Sequence, residues 1–270
     1  MLQKLLPPAF VALSTLACTT SSFADGPAPS SAAAGSDDFR YQTALTAPTR
    51  LEIHDQNGPI MVEPASGDTL EVLAIKTGRK ENFARVQVMT REDNGVIVVC
   101  ALWPGQEPAS CRPGSAPSGS TGDDLHVSVE LRLRVPTKVA LLDAHTMNGR
   151  IVARSPGGEL RLHTMNGAID ATANGPLTAE TMNGAVTGRA PAGHAVQLRT
   201  RNGAVEAVLP PACNADVEAS TRNGRVSSEF GPVPASAIPN LQDVKLRVGS
   251  GGTPVSLQTM NGNVTVRRGG

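Results

Sequence analysis

The chain has 270 residues and a formal net charge of zero, and aromatic residues make up only 3% of it. A balanced charge argues against a general nucleic-acid binder, which normally carries a strongly basic face. Few aromatic residues also leave few platforms on which bases could stack. Hydrophobic residues make up 40% of the chain, so a sizeable core must be built mainly from aliphatic side chains.

Residues 1–24 are typical of a cleaved export signal. Lys4 precedes a short apolar stretch, and Ser22-Phe23-Ala24 ends the segment as a cleavage site. The stretch is shorter than the roughly 18 residues that a membrane-spanning helix needs, and no other segment predicts a span in the mature protein. A second interpretation stays open, in which Cys18 is lipidated as in bacterial lipoproteins. We therefore expect an extracytoplasmic protein, either periplasmic or at the cell surface or secreted, with an outer-membrane lipoprotein as the alternative.

The first half predicts a β region preceded by a linker. Residues 25–39 are small and polar, which indicates a flexible linker. Residues 40–139 predict an N-terminal β part in which Asn57-Gly58 and Asn94-Gly95 lie beside strands, as in a degenerate form of the repeat described next. The Pro-, Gly- and Ser-rich segment 104–124 is expected to be a disordered surface loop. A disulfide between Cys100 and Cys111 would anchor that loop in an oxidising compartment, with free thiols as the alternative.

Residues 140–268 contain a repeat with a period near 19 residues. Four Thr-Met-Asn-Gly and two Thr-Arg-Asn-Gly tetrapeptides recur at steps of 17 to 21 residues, followed by one step of 38. Such a fixed period is typical of a solenoid, in which each unit stacks on the next. The predicted fold is all-β, a single-chain β-solenoid with short strands, in which an N-terminal β meander leads into these coils. The predicted corner residues are Asn148, Gly149, Asn166, Gly167, Asn183, Gly184, Asn202, Gly203, Asn223, Gly224, Asn261 and Gly262.

Each residue of the tetrapeptide has a predicted role. Each Gly is expected to supply a positive φ at the corner, and each Asn to bond along a ladder of its own kind. If Thr points inward, the residues on either side of it share the outer face. Antiparallel hairpins at Asn-Gly are the alternative. The predicted interior is aliphatic and consists of Leu162, Ile169, Val186, Leu198, Val205, Val226, Leu257 and Val264.

This layout resembles the bacterial "putative adhesin" domain family. The resemblance covers about residues 39–268 and rests on the N-terminal meander, the strand that ends in Val135-Pro136, and the closing segment Leu257–Val264. The corners here are Thr-Met-Asn-Gly or Thr-Arg-Asn-Gly, whereas many family members carry Ser-Gly-Asp. The resemblance implies a β-solenoid of unknown function with a cell-surface or envelope role, and it supplies no catalytic residues.

The sequence offers candidate binding residues but no catalytic ones. It lacks the motifs of hydrolases, zinc proteases and phosphate-binding loops, and no cofactor is expected. His145, Met147, His163 and Met165 form a weak candidate for a copper(I) site, because imidazole and thioether suit that ion; otherwise no metal is expected. A second set suits an acidic partner and consists of Arg199, Arg201, Arg222 and Arg225.

Together, these observations predict an exported, non-enzymatic scaffold or adhesin-like interaction module of the cell envelope. Its partner would be an envelope protein or an anionic polysaccharide, and not a nucleic acid. The alternative is a carbohydrate-active β-helix enzyme, a polysaccharide lyase or hydrolase, since such folds often host sugar chemistry; the fold alone does not establish an activity.

Overall fold

The structure of the protein, a computed structural model, describes residues 38–115, 125–155, 157–233 and 241–269. The predicted signal segment, Cys18 and nearly all of the predicted linker lie outside these residues, as does the part 116–124 of the predicted loop. Among the described residues, no helix is both long enough and apolar enough to cross a membrane.

Strands account for most of the described chain. The first seven are β1 (Asp38–Ala44), β2 (Thr49–His54), β3 (Ile60–Pro64), β4 (Thr69–Gly78), β5 (Gln87–Asp93), β6 (Val96–Leu102) and β7 (Val127–Val135). The repeat region contributes β8 (Val139–Asn148), β9 (Ile151–Arg154), β10 (Glu159–Asn166), β11 (Ile169–Thr172), β12 (Leu177–Asn183), β13 (Val186–Arg189), β14 (Val196–Asn202), β15 (Val205–Leu209), β16 (Ala215–Asn223), β17 (Val226–Ser228), β18 (Gln242–Val248), β19 (Thr253–Asn261) and β20 (Val264–Arg268). Short 3₁₀ helices cover Lys80–Arg85 and Pro108–Ser110.

The strands form two ten-stranded mixed sheets, which confirms the all-β prediction. The first sheet has the order β1-β4-β7-β3-β9-β11-β13-β15-β20-β17, and the second has the order β5-β6-β2-β8-β10-β12-β14-β19-β16-β18. In the repeat region each two-strand unit places one strand in the second sheet and the following strand in the first. Neighbouring units pair in parallel and in register, so Thr164 lies beside Thr146 and Thr181.

The core lies between the sheets and follows from the two-residue alternation of the strands. In β10, Leu160, Leu162 and Thr164 are buried while the residues between them are partly exposed. Inward residues of both sheets belong to one continuous hydrophobic cluster. All eight predicted interior residues, from Leu162 to Val264, are buried, which confirms that part of the sequence analysis.

The stacking order departs from the order of the sequence. The last unit, β19 and β20, does not follow β16 and β17 but lies between them and the unit of β14 and β15. The physical reason is that β18 turns back and pairs antiparallel with one edge of β16. Because that edge is occupied, β19 pairs with the other edge of β16. The expectation that each unit stacks on its neighbour in sequence is therefore wrong for the step of 38 residues.

The N-terminal half also departs from the expected repeat at one place. Asn57 pairs in parallel with Asn148, so Asn57-Gly58 is aligned with the corners of the repeat. Asn94-Gly95, in contrast, forms the tight turn of the antiparallel hairpin β5–β6, and both residues have positive φ, at 50° and 76°. This is the geometry that Asn-Gly favours in hairpins, so placing Asn94-Gly95 in the repeat layout is wrong.

Residues 104–115 are attached to the outer face of the second sheet through Cys111 and Gly114. The structure places a disulfide between Cys100 and Cys111, the pair joined in the sequence analysis, and Cys213 is a buried free thiol. The disulfide packs in a small cluster with Val98 and Leu102, which face away from the main core. The amide of Gly114 also donates to Glu52 Oε2 at 2.7 Å. These contacts bury one end of the outer face.

The first unit carries a buried carboxyl where the later units carry threonine. Asp55 follows His54, which pairs with His145, and therefore stands at the position of Thr146 in the next unit. It is completely buried near Trp103, and burial raises the pKa of Asp55 to about 7. The backbone amides of Gln56 and Asn57 and the indole of Trp103 act in the opposite direction, but burial dominates.

Candidate functional site on the outer face of the second sheet

The threonine of each tetrapeptide is buried and joins neighbouring units. Thr164 Oγ1 donates to the carbonyl oxygen of Gly149 at 3.0 Å, and Thr181 Oγ1 donates to that of Gly167 at 3.0 Å. The threonines at 146, 200, 221 and 259 bond to glycine carbonyls in the same way. The hydroxyl therefore satisfies a carbonyl at the turn of the adjacent unit, which explains why a polar residue occupies an inward position.

The asparagines form a continuous ladder of side-chain hydrogen bonds. The Nδ2 of Asn166 donates to Oδ1 of Asn148 at 2.8 Å, and Asn183 donates to Asn166 in the same way. The ladder continues through Asn202, Asn261 and Asn223, with bonds of 2.7 to 2.8 Å. It therefore follows the stacking order of the strands and not the order of the sequence.

The glycines serve close packing more than left-handed geometry. A Cβ atom added at Gly167 would lie 2.0 Å from the carbonyl oxygen of Gly149, and one at Gly149 would lie 1.8 Å from that of Gly58. Only Gly184, Gly203 and Gly262 among the six repeat glycines have a φ between +20° and +160°, at 150° to 155°. A positive φ at every corner is therefore a wrong expectation, and the requirement shared by all six is the absence of a side chain.

The second position of the tetrapeptide faces solvent. Along the sheet it forms what we call the second-position row, which consists of Met147, Met165, Met182, Arg201, Met260 and Arg222 in stacking order. Met165, Met182 and Met260 are 42%, 42% and 39% exposed and are the exposed large hydrophobic side chains among the described residues. The inserted strand places Met260 between the two arginines, which the sequence order had put side by side.

The predicted arginine set divides into paired and unpaired members. Arg199 Nη1 lies 3.7 Å from Glu180 Oε1. Arg201, Arg222 and Arg225 make no ion pair with any carboxylate in the described part of the chain. Arg199, Arg222, Met260 and neighbouring polar residues line a shallow depression of about 330 Å³. The row therefore combines exposed thioethers with two unneutralised positive charges.

Three histidines form a stacked column two residues before this row. The rings of His145 and His163 lie 4.7 Å apart between centroids with 12° between their planes, and His54 stacks on His145 at 5.6 Å. The column arises because β2, β8 and β10 are adjacent and in register. His54 is buried near residues 104–115, while His145 and His163 are partly exposed.

Carboxylates flank the histidine column. Asp143 Oδ1 lies 2.7 Å from His145 Nε2, Glu52 Oε2 lies 3.3 Å from His54 Nε2, and Glu180 Oε2 lies 3.8 Å from His163 Nδ1. Burial, together with the charge of His145, lowers the pKa of His54 and of His163. Burial by itself would raise the pKa of Asp143, but His145, His163 and Arg50 lower it. The lowered pKa values favour neutral rings at His54 and His163, the two ends of the column, and an ionised carboxylate at Asp143.

The repeat pattern in the sequence indicates only part of this cluster. The structure brings His145 and His163 together, but it places Asp143 beside them, while Met147 and Met165 lie two residues further along the strands in the second-position row. His54, Glu52 and Asp143 were missed. The alignment of Asn57-Gly58 with the repeat corners was the signal for His54, because it places that residue in line with His145 and His163. Asp143 could have been found two residues before His145, on the same face.

A second polar groove lies on the first sheet. It has a volume of about 500 Å³ and brings together three glutamates and three arginines, namely Glu63, Glu71, Glu130, Arg40, Arg132 and Arg134. Arg132 Nε donates to Glu130 Oε1 at 2.8 Å, and Arg134 Nη1 lies 3.6 Å from Glu71 Oε2. Two of the three carboxylates are therefore matched by guanidinium groups.

Comparison with known proteins gives structural similarity at low sequence identity. A crystal structure of a putative cell adhesion protein from Clostridium sporogenes ATCC 15579 is 11% identical, with a TM-score of 0.44, and the match covers 86% of this chain and 100% of that one. A putative adhesin from Bacteroides fragilis NCTC 9343 is 10% identical, with a TM-score of 0.35 and coverage of 86% and 96%. One from Parabacteroides merdae ATCC 43184 is 12% identical, with a TM-score of 0.28 and the same coverage. No protein-family model and no curated protein matches the chain.

Proposed function

We propose that this chain is an exported, non-enzymatic interaction module of the bacterial cell envelope, built as a β-solenoid and binding its partner through the second-position row. The solenoid interpretation is supported by the alternation of successive strands between the two sheets and by the parallel, in-register pairing of neighbouring units. The hydrogen-bonded asparagine ladder adds to that support, because it needs corners at the same height in every unit.

Export is supported by the sequence of the first 24 residues and by the disulfide between Cys100 and Cys111, since disulfides persist mainly outside the cytoplasm. Intact-mass measurement of the protein recovered from envelope fractions tests this part. We expect a chain that starts at Asp25, or a lipid-modified chain that starts at Cys18. Recovery of the chain with its first 24 residues intact, in the cytoplasm, would contradict export.

The interaction surface is inferred from the different contacts that the four positions of the tetrapeptide make. Thr bonds to the neighbouring unit, Asn forms the ladder, and Gly permits the close approach of two turns. The second position makes none of these contacts, and it is the position at which the six copies differ. An exposed row of methionines is costly in water, and exposed apolar side chains that are contiguous mark interaction sites.

The chemistry of the row fits an anionic polysaccharide of the envelope. Arg201 and Arg222 have no carboxylate partner within the described ranges, and one strand separates them, so their backbones lie about 10 Å apart at the usual strand spacing. Guanidinium groups bind carboxylate and phosphate groups in a bidentate manner. A flat row of charges and thioethers suits an extended polymer better than a small molecule, which needs an enclosed pocket.

Binding of alginate, a polymer of uronic acids, tests this surface, with neutral dextran as the control ligand. We expect that Arg201→Glu combined with Arg222→Glu weakens alginate binding at least tenfold while the melting temperature stays unchanged. The matched control is Lys80→Glu combined with Arg85→Glu, which makes the same charge change in an exposed 3₁₀ helix. Equal losses in both double variants would indicate a nonspecific charge effect and contradict the proposed surface.

The groove on the first sheet is the place to test the enzymatic alternative. Glycoside hydrolysis uses two carboxyl groups, of which one must be a proton donor and the other a base or nucleophile. Two of the three glutamates in this groove, Glu71 and Glu130, instead face arginines, which leaves Glu63 where the chemistry needs two carboxyl groups; this supports a non-enzymatic role. Release of reducing ends from alginate or other polysaccharides, lost in Glu130→Gln, would overturn this part of the proposal.

A further inference from the structure

We propose that Asp143, His145 and His163 form a binding site for a divalent transition-metal ion, with Zn²⁺ as the representative ion. One ligand atom from each of these residues can be chosen so that all three lie within 4.8 Å of one another. A site with one carboxylate and two imidazoles suits Zn²⁺, Cu²⁺ or Ni²⁺. The inference does not depend on the polysaccharide proposal, because none of the three residues belongs to the second-position row.

The ligand atoms lie close together, but the two rings must turn before they can share one ion. Zinc binds histidine nitrogen at about 2.0–2.1 Å and carboxylate oxygen at about 2.0–2.2 Å, so two ligands of one ion lie roughly 3–4 Å apart. The two rings are already face to face at 4.7 Å, held by the pairing of β8 with β10. Because an imidazole nitrogen binds a metal along a lone pair in the plane of its ring, the stacked rings must turn about their side-chain bonds so that both nitrogens point at one ion.

The contact between Asp143 and His145 is close but poorly aligned as a hydrogen bond. Asp143 Oδ1 is shielded from solvent and lies 2.7 Å from His145 Nε2, yet no donor among the described residues points at it in hydrogen-bond geometry. A shielded carboxylate oxygen without an aligned donor is costly, and a cation that contacts both this oxygen and the imidazole nitrogens would satisfy it. The side chains of Asp143, His145 and His163 remain 13%, 28% and 33% exposed, so the ion can reach the site from solvent.

Neighbouring residues are placed to orient the ligands. Glu180 Oε2 lies 3.8 Å from Nδ1 of His163, on the side of the ring that leaves Nε2 free as a ligand. Pairing of the second ring nitrogen with a carboxylate is the usual support for a metal-bound histidine. Arg50 Nη2 approaches the other oxygen, Oδ2, of Asp143 at 3.8 Å and can hold the carboxylate in place. Arg161, the other nearby cation, is engaged by Glu159 at 2.7 Å.

This ligand set differs from the copper(I) site considered in the sequence analysis. That site needed the thioethers of Met147 and Met165, which belong to the second-position row, with Met165 among its most exposed members. Asp143 supplies a hard oxygen ligand in their place, and carboxylate oxygen disfavours Cu⁺ relative to divalent ions. The two assignments predict different sensitivities to substitution and can be separated by experiment.

Calorimetric titration of the purified protein with ZnCl₂ tests the proposal. We expect saturable binding of one ion per chain, weakened at least tenfold by Asp143→Asn and by His163→Ala. His194→Ala removes an imidazole from a loop outside the column and should leave the affinity unchanged. Met147→Leu combined with Met165→Leu should also leave it unchanged. Saturable Zn²⁺ binding that survives His163→Ala, or no saturable binding, would overturn the proposal.

Electron paramagnetic resonance of the Cu²⁺-loaded protein gives a readout that folding defects do not imitate. In the unsubstituted protein we expect the Cu²⁺ signal to be split by two imidazole nitrogens. In His163→Ala we expect splitting by one. Dependence of the signal on Met147 and Met165, together with indifference to Asp143→Asn, would overturn the proposed ligand set in favour of a thioether site. Circular dichroism of each variant checks that the β structure is retained.

Discussion

The buried carboxyl of Asp55 makes a quantitative prediction about pH. Its pKa is raised from 3.8 to about 7, mainly because it is completely buried. Between these two values the folded chain keeps the proton while the unfolded chain has lost it. The contribution of Asp55 to the free energy of unfolding is therefore greatest below about pH 4 and falls as the pH rises towards 7. Above pH 7 it changes no further.

The size of the effect follows from the shift. Each pKa unit is worth about 1.4 kcal/mol, so the full shift corresponds to an upper limit of roughly 4 kcal/mol. Between pH 5 and pH 8 the linkage relation gives roughly 2–3 kcal/mol of lost stability. An amide of the same shape does not titrate. The free energy of unfolding of Asp55→Asn should therefore rise by this amount relative to that of the unsubstituted protein between pH 5 and pH 8.

Urea unfolding at pH 5 and pH 8 measures this difference. Asp243→Asn serves as the control, because it removes an exposed carboxylate from the edge strand β18. The free energy of unfolding should fall more steeply with pH in the unsubstituted protein and in Asp243→Asn than in Asp55→Asn. Parallel pH curves for all three proteins would refute the assignment of Asp55 as a buried, protonated group.

Three further predictions concern the turns and the first sheet. Gly167→Ala should lower the melting temperature, since the added Cβ would lie 2.0 Å from a backbone oxygen, while Gly67→Ala has open space and should not. Asn166→Ala should cost about 1–2 kcal/mol in urea unfolding, because it breaks two ladder bonds. Partial burial alone would raise the pKa of Asp170, but Arg154 and Arg189 lower it. Asp170→Asn should therefore be less stable than the unsubstituted protein above about pH 4, and the two stabilities should converge in acid.

Each of these has a contradicting outcome. Equal melting temperatures for the two glycine variants would mean that the turns can move apart without cost. An unchanged unfolding free energy for Asn166→Ala would mean that water replaces the ladder bonds fully. A constant difference between Asp170→Asn and the unsubstituted protein from pH 2 to pH 7 would show that the pairing with Arg154 does not depend on the charge of the carboxyl.

Much of the architecture was predictable because the repeat is regular. The alternation around Leu162 predicts the inward face, and the structure has Thr164 inside and Met165 outside, the arrangement expected if threonine points inward. The asparagine ladder was predictable as well, since equal spacing places Asn166 beside its equivalents. These features depend on local periodicity, which the sequence encodes directly.

The stacking order and the site were less accessible. The spacing between Asn223 and Asn261 does not encode which strand β19 will pair with, because that depends on β18 occupying the free edge of β16. His54 was hidden because Asp55-Gln56 replaces the Thr-Met of the repeat in its unit. Asp143 and His145 lie two residues apart on β8, but His163 joins them only through the pairing of β10 with β8, which is a long-range contact.

Methionine methyl NMR provides the most direct test of the central claim, that the second-position row is the binding surface. The chain has seven methionines, of which four lie in that row. Met61 lines the groove on the first sheet and Met89 packs beside the disulfide, so both serve as internal controls. On titration with alginate we predict shifts of the methyl signals of Met182 and Met260, which flank Arg201, with Met61 and Met89 unmoved. A shift confined to Met61, or no shift in the row at saturating alginate, would contradict the account.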